Sequence, residues 1–229
     1  VCEPYFAPYE FIDNTKSGQE QFRGADMELA RYIAKELGVE LEIVPLEWSA
    51  VLTGVGAGKY DMAVAGMAYT PERAETMAMS KVYKPGGDQG LLVPADKVDE
   101  YTSLDDFAGK KVGFQSGTVQ EQNVLTQLPD SEPVTFDIIQ NAVLALDSGK
   151  VDAVSVSIAN GEMFVSTNPK LAVSTVQFDN SQNGNVIGFP KGETELVDAV
   201  NKIIDEVLEQ GLYDQWLEEA TAEAENLGL

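Results

Sequence analysis

Apolar positions along the chain recur with two periods, and their alternation predicts an α/β protein. In 26–37 (DMELARYIAKEL), Leu29, Ala30, Ile33, Ala34 and Leu37 share a face at helical spacing, so an amphipathic helix is predicted there. The apolar run that follows, 39–46 (VELEIVPL), predicts a strand. Further on, 57–67 (AGKYDMAVAGM) is echoed by 148–158 (SGKVDAVSVSI), with Gly58-Lys59-Tyr60-Asp61 answering to Gly149-Lys150-Val151-Asp152, an offset of 91 residues. Each copy reads as helix, glycine C-cap and buried strand. An offset this long is no solenoid period. It predicts two similar α/β lobes whose strands end near Gly66 and Ser157, at the carboxyl edges where open α/β sheets bind ligands. On this reading Gly66 and Ser157 face each other across a cleft.

The punctuation between these runs agrees. Residues 83–97 (YKPGGDQGLLVPADK) place Pro-Gly-Gly before a strand, and 180–192 (NSQNGNVIGFPKG) have the same character in reverse order. Two extended crossings predict a hinge, with 1–86 plus 186–229 as lobe 1 and 87–185 as lobe 2. The last region, 194–224, is helical: its segment TELVDAVNKIIDEVLEQG opens at a capping-box-like Thr194 and ends at Gly211.

Two strand-to-helix turns carry candidate chemistry. In 66–73 (GMAYTPER), Thr70 is placed as an N-cap and Pro71 as the first helical residue, which sets Arg73 in the first turn. Its guanidinium and the free N–H groups there can converge on a carboxylate, or Arg73 can be a surface residue paired with Glu72 or Glu75. In 113–121 (GFQSGTVQE), Ser116, Gly117 and Thr118 offer backbone donors to an anion, or form an ordinary βα loop. The segment 3–11 (EPYFAPYEF) is dense in aromatics; Phe6 and Trp48 suit either the apolar walls of a small-ligand pocket or the core. Glu3 and Glu47 beside them read most simply as solvated.

Composition narrows the function further. With 38 acidic and 15 basic residues the net charge is −23, which sets nucleic acid aside as a partner and disfavours an anionic membrane surface. The chain has no histidine, so histidine-based acid/base chemistry, Ser-His-Asp triads and histidine metal sites are excluded. No metal or cofactor is expected. The single cysteine, Cys2, can form neither an intrachain disulfide nor a cysteine zinc cluster and is expected as a buried thiol in an early strand, the alternative being a lipid-modified cysteine. No apolar span reaches the roughly 18 residues of a membrane helix. Structure-like sequence begins at Val1 with no signal peptide ahead of it, so a mature or trimmed chain is expected.

The stretches YFAPYEF, GADMELARYIAKELGVELEIVPLEW, AGKYDMAVAGMAYTPER, SLDDFAGKKVGFQSGTVQE, GKVDAV and GLYDQW together resemble the extracytoplasmic polar amino-acid-binding proteins of bacterial ABC importers. The resemblance covers nearly the whole chain. It implies a two-lobe periplasmic-binding-protein-like fold with two hinge crossings, closing over an amino acid or close relative and delivering it to an ABC permease. The chain is then expected to act as a monomer, without enzymatic activity, in the periplasm or lipid-anchored on the outer face of the cell membrane.

By the same resemblance Arg73 corresponds to the arginine that grips the ligand α-carboxylate, helped by the backbone at Met67 and Ala68 and by Thr118 and Val119. Gly66 corresponds to the carbonyl that accepts from the ligand ammonium. Phe6 and Trp48 match side-chain walls, Glu3 an acidic position and Gln115 a polar one that touch ligand. There is one departure: many relatives carry an ammonium-binding aspartate where this chain has Ser157. Glu3, Asn160 or Glu162 would have to substitute, or the ligand is not an ordinary α-amino acid. Glu3 and Gln115 favour a polar or cationic ligand, Phe6 and Trp48 an aromatic one, and the net acidity disfavours glutamate and aspartate. Two alternatives share the fold: a cyclohexadienyl dehydratase-like enzyme with Glu162 or Glu3 as general acid, and the sensing module of a receptor.

Overall fold

The computed structural model describes residues 1–179 and 184–229, and the chain divides into two units, Val1–Gly86 with Asn183–Leu227 and Gly87–Gln182 with Gly228–Leu229. In chain order the first stretch gives β1 (Tyr5–Phe6), β2 (Glu10–Ile12), β3 (Phe22–Arg23), α1 (Ala25–Leu37), α2 (Trp48–Gly56), α3 (Pro71–Thr76) and β4 (Ala78–Met79). The middle stretch gives β5 (Gln89–Pro94), β6 (Lys111–Gln115), α4 (Val119–Gln127), β7 (Glu132–Phe136), α5 (Ile139–Asp147), β8 (Ala153–Ser157), α6 (Ile158–Thr167) and β9 (Leu171–Phe178). The chain then returns through β10 (Gly188–Phe189), α7 (Thr194–Glu209) and α8 (Leu212–Leu227). The predicted second crossing lies partly at 180–183, outside the described residues; Asn185, assigned from sequence to lobe 2, bridges Ala68 and Lys84 in the first unit.

In the first unit the stripe of α1 buries Leu29, Ala30, Ile33 and Ala34, and α7 and α8 pack against this helix. Gly38 ends α1 in the left-handed conformation. A second core joins Met27, Val51, Val55, Ala63, Met67 and Met77. The run 39–46 is not a strand. Only Pro45 bridges, in parallel, to Cys2, and the amide of Gln19 takes the place of a neighbouring strand at Ile43, receiving its N–H at 2.7 Å and donating to its carbonyl at 3.2 Å. Cys2, on the other side of that bridge, is a fully buried thiol, and burial pushes its pKa up to about 12.

The strand predicted after Asp61 is likewise reduced to bridges, Ala63 to Gly188 and Ala68 to Asn185, both antiparallel. Gly66 interrupts it, because φ is +54° there and its N–H leaves the ladder for the Asp26 carboxylate at 2.6 Å. At α7 the residue before Thr194, Glu193, is the N-cap, without a side-chain hydrogen bond, so the predicted capping box is not formed.

The second unit is one five-stranded sheet, β7-β6-β8-β5-β9, with β6 parallel to β7 and β8, and β5 antiparallel to β8 and β9. Alternation along β8 sends Ala153 to the face covered by Phe107 and by Val124 of α4, and Val154 and Val156 to the face covered by α5 and α6. The echo seen in the sequence is a repeated turn. After α2, the N–H of Gly58 donates to Val55 O and that of Lys59 to Gly54 O, both at 2.9 Å. After α5, Gly149 donates to Leu146 O at 2.9 Å and Lys150 to Ala145 O at 2.8 Å. Both glycines sit near φ +70°, as this helix ending requires.

Candidate functional site

Arg73 is held by local geometry. Thr70 is the N-cap of α3, its hydroxyl accepting from the Arg73 N–H at 3.2 Å, and Pro71 occupies the first helical position. The guanidinium turns back to donate to Ala68 O at 2.7 Å and lies over the Trp48 ring, 5.1 Å from its centroid. Burial pulls Arg73 down to about 10. Trp48 in turn starts α2, and its N–H donates to Glu3 Oε1 at 3.2 Å, so Glu3, only 6% exposed, is a buried carboxyl at a helix N-terminus rather than a solvated one. Glu47 beside it is exposed. Four of the sequence candidates, Glu3, Trp48, Ala68 and Arg73, are thereby one connected group.

Phe6 and Gly66 adjoin each other. A Cβ on Gly66 would stand 2.9 Å from the Phe6 ring, so only glycine fits this close approach. Phe6 stacks on Tyr9 at 5.1 Å, and Lys84 Nζ lies 5.7 Å from the Tyr9 ring. Met67 differs from its neighbours: its side chain is in the core, while its carbonyl accepts from Val186 at 2.8 Å.

In the second unit, Gln115 ends β6 and Ser157 ends β8, at the carboxyl edge of the same parallel pair of strands. Gln115 O accepts from the Thr118 hydroxyl at 2.7 Å, and Gln115 Nε2 donates to Asp137 O at 3.1 Å. Thr118 caps α4, whose first residue is the buried Val119. The anion cradle predicted here has internal occupants. Ser116 N–H donates to Phe136 O at 2.9 Å, and Gly117 N–H to Glu121 Oε2 at 2.7 Å. Ser157 caps α6, accepting from the Asn160 N–H at 3.3 Å. Asn160 is buried, whereas Glu162 is exposed on α6. Among the described residues no cluster of three or more His, Cys, Asp or Glu could hold a metal, and no helix is long and apolar enough to cross a membrane.

Two groups of residues escaped the sequence reading. One is Asp26, fully buried, which accepts from Gly66 N–H, Tyr83 Oη and Tyr213 Oη, each at 2.6 Å. Its signal was available: it is a charged residue in line with the apolar stripe of α1. The other is Gln89 of β5, whose Oε1 accepts from Gln120 Nε2 of α4 at 2.6 Å, beside Ser157 in the β5–β8 register. That pairing has no sequence signal, since it joins residues 31 positions apart.

Glu10 adjoins this cluster, 1% exposed, and its Oε2 has no hydrogen-bond partner. Burial, followed by repulsion from Asp26 and Glu3, raises its pKa well above the usual 4.5. The folded protein therefore keeps a proton that the unfolded chain releases above about that pH, and Glu10's contribution to stability falls as pH rises through the window above 4.5. Glu10→Gln is expected to flatten this decline. Thermal unfolding at pH 5 and pH 8 should show the variant losing less Tm than the wild type over the interval, by a few degrees, about 2–4 °C per kcal/mol for a chain of this size. Equal losses would assign the slope elsewhere.

The chain is thus a two-unit α/β protein whose first unit carries a desolvated arginine on a tryptophan and whose second is a mixed sheet with Gln115 and Ser157 at the carboxyl edge of a parallel pair. Residues 1–221 match the bacterial extracellular solute-binding proteins, family 3, and the chain belongs to that family. It is 29% identical over 217 residues to the putative ABC transporter arginine-binding protein 2 of Escherichia coli K12, covering 93% of this chain and 86% of that protein. The probable histidine-binding protein of Campylobacter jejuni is 29% identical, with 92% and 79% covered. Among solved structures, the amino acid ABC transporter substrate-binding protein AbpA of Streptococcus pneumoniae, bound to L-arginine, superposes with a TM-score of 0.90 at 36% identity, covering 98% of this chain and 93% of that one. These relatives are named as amino-acid-binding or substrate-binding proteins, not as enzymes, so the dehydratase alternative is not carried further.

Proposed function

We propose that the chain captures a polar or cationic α-amino acid, as a monomer outside the cytoplasm, and hands it to an ABC permease. Arg73 grips the α-carboxylate together with backbone donors at Ala68, Thr118 and Val119; Gly66 O accepts from the ammonium; Phe6 and Trp48 wall the side chain, and Glu3 and Gln115 meet its polar end. The observation that carries this reading is the Arg73 guanidinium, pulled out of water over Trp48 and anchored by Ala68 O, where a carboxylate would gain a charge-assisted, bidentate partner. The buried Glu3 carboxyl beside Trp48 and the uncharged amides of Gln89, Gln115 and Gln120 support a cationic or hydrogen-bonding side chain over an acidic one. Mass spectrometry of small molecules released on denaturing freshly purified protein, followed by calorimetric titration with the amino acid found, tests it. Recovery of an α-amino acid that rebinds is expected; turnover of the ligand, or a ligand lacking a carboxylate, would sink the reading.

A further inference from the structure

The fully buried Asp26 is used by no step of the binding scheme above, yet three donors converge on its two oxygens. Gly66 N–H and Tyr83 Oη reach Oδ2, and Tyr213 Oη reaches Oδ1, all at 2.6 Å. The Asp26 N–H is itself fixed to Tyr9 O at 3.0 Å. Both hydroxyls can turn about their C–O bonds, but a peptide N–H is only a donor, so the array suits a carboxylate better than a carboxylic acid. Neighbouring Glu10 has no such array, since its Oε2 is buried with no donor to meet it, so of the two acids it is the better place for a proton. Burial raises the Asp26 pKa above its ordinary value, and the hydrogen bonds from Tyr213, Tyr83 and Gly66, followed by the charge of Lys84 over the Tyr9 ring, work against that rise.

We infer that Asp26 is the positioning residue for the ammonium side of the amino-acid site: it locks the left-handed Gly66 and supplies the buried negative charge that Ser157 lacks. The inference rests on the reading of Gly66 O as the ammonium acceptor. A glycine at φ +54° has several backbone alternatives, and a 2.6 Å bond to a carboxylate pinned by two tyrosines removes them before ligand arrives. The charge acts on the ligand ammonium through one residue of backbone, from a fully buried carboxylate, where Coulomb attraction is less attenuated than in bulk water.

Calorimetric titration with two probes tests this: L-arginine, and 5-guanidinopentanoate, which has the same chain and carboxylate but no α-ammonium. Asp26→Asn is expected to weaken L-arginine binding at least about tenfold, roughly 1.4 kcal/mol, and 5-guanidinopentanoate binding less than about twofold. Equal losses for the two probes would make Asp26 merely structural and overturn the inference, as would no loss for either. Should Asp26→Asn fail to fold by circular dichroism, the Tyr83→Phe/Tyr213→Phe double variant removes the two pins and leaves the Gly66 bond. It is expected to lower the preference for L-arginine over 5-guanidinopentanoate at least about threefold, and an unchanged preference would overturn the inference. If wild-type protein rebinds another α-amino acid but shows no preference for an α-ammonium, the amino-acid reading stands and Asp26 loses its role. If it binds no α-amino acid at all, both fall together.

Discussion

Replacing Arg73 with alanine is expected to weaken amino-acid binding by roughly 3–5 kcal/mol, about two to nearly four powers of ten in Kd. The size follows from desolvation. The guanidinium has already lost water, as its lowered pKa of about 10 reflects, so the folded protein bears that cost before ligand binds. A ligand carboxylate then meets a cation with little hydration to give up, and removing the cation leaves the carboxylate unpaired in the same surroundings. Arg73→Lys keeps the charge but loses the planar fork and the contact with the Trp48 face, and should recover only part of the loss. Titration calorimetry decides: a change in Kd of less than about tenfold for Arg73→Ala would remove the carboxylate role.

Gly24→Ala should produce the largest loss of stability. Gly24 precedes α1 at φ +123°, and an added Cβ would collide with Tyr9 O and lie 2.8 Å from the Glu10 Cα, both backbone atoms that no rotamer change can move. This close approach lets Ala25 N–H reach Pro8 O at 3.1 Å and Asp26 N–H reach Tyr9 O at 3.0 Å. Alanine must therefore pry the β2 segment away from the start of α1 and adopt a backbone conformation that L-residues avoid. A cost of about 4 kcal/mol is expected, at the exceptional end for one substitution, lowering Tm by roughly 8–16 °C. Because the chain has two units, calorimetry should show the transition of the first unit displaced and that of the second nearly in place. A Tm within about 2 °C of wild type would contradict the packing described.

Much of this was legible in the sequence wherever the cause is local. The helical stripe of α1, the glycines that end α2 and α5, and the Thr70-Pro71 start of α3 each act over a turn or two of chain, and each appears where the pattern put it. The segments 39–46 and 62–66 were misjudged because their partners are remote: the Gln19 side chain for one, Val1 and residues 184–188 for the other. Arg73 was legible as a helix-start cation, but its partners, Ala68 O and the Trp48 ring, were not. Asp26 was passed over for a physical reason. An acid in the first turn of a helix already has an explanation in the helix dipole, which hides the stronger demand made by two tyrosines and a glycine from other parts of the chain.

The first unit is assembled from both ends of the chain, and that has a consequence for the order in which it forms. Asp26 takes one of its hydrogen bonds from Tyr213, 187 residues later, and β4 pairs with β10. During synthesis the five strands of the second unit, all within residues 89–178, are available to pair before Tyr213 has been made, while the first unit has all the donors of its buried acid only afterwards. Until Tyr213 is made, Asp26 lacks one of the three donors it has in the folded unit. Closing the first unit is therefore a long-range event, joining segments on both sides of the second unit's residues 87–182.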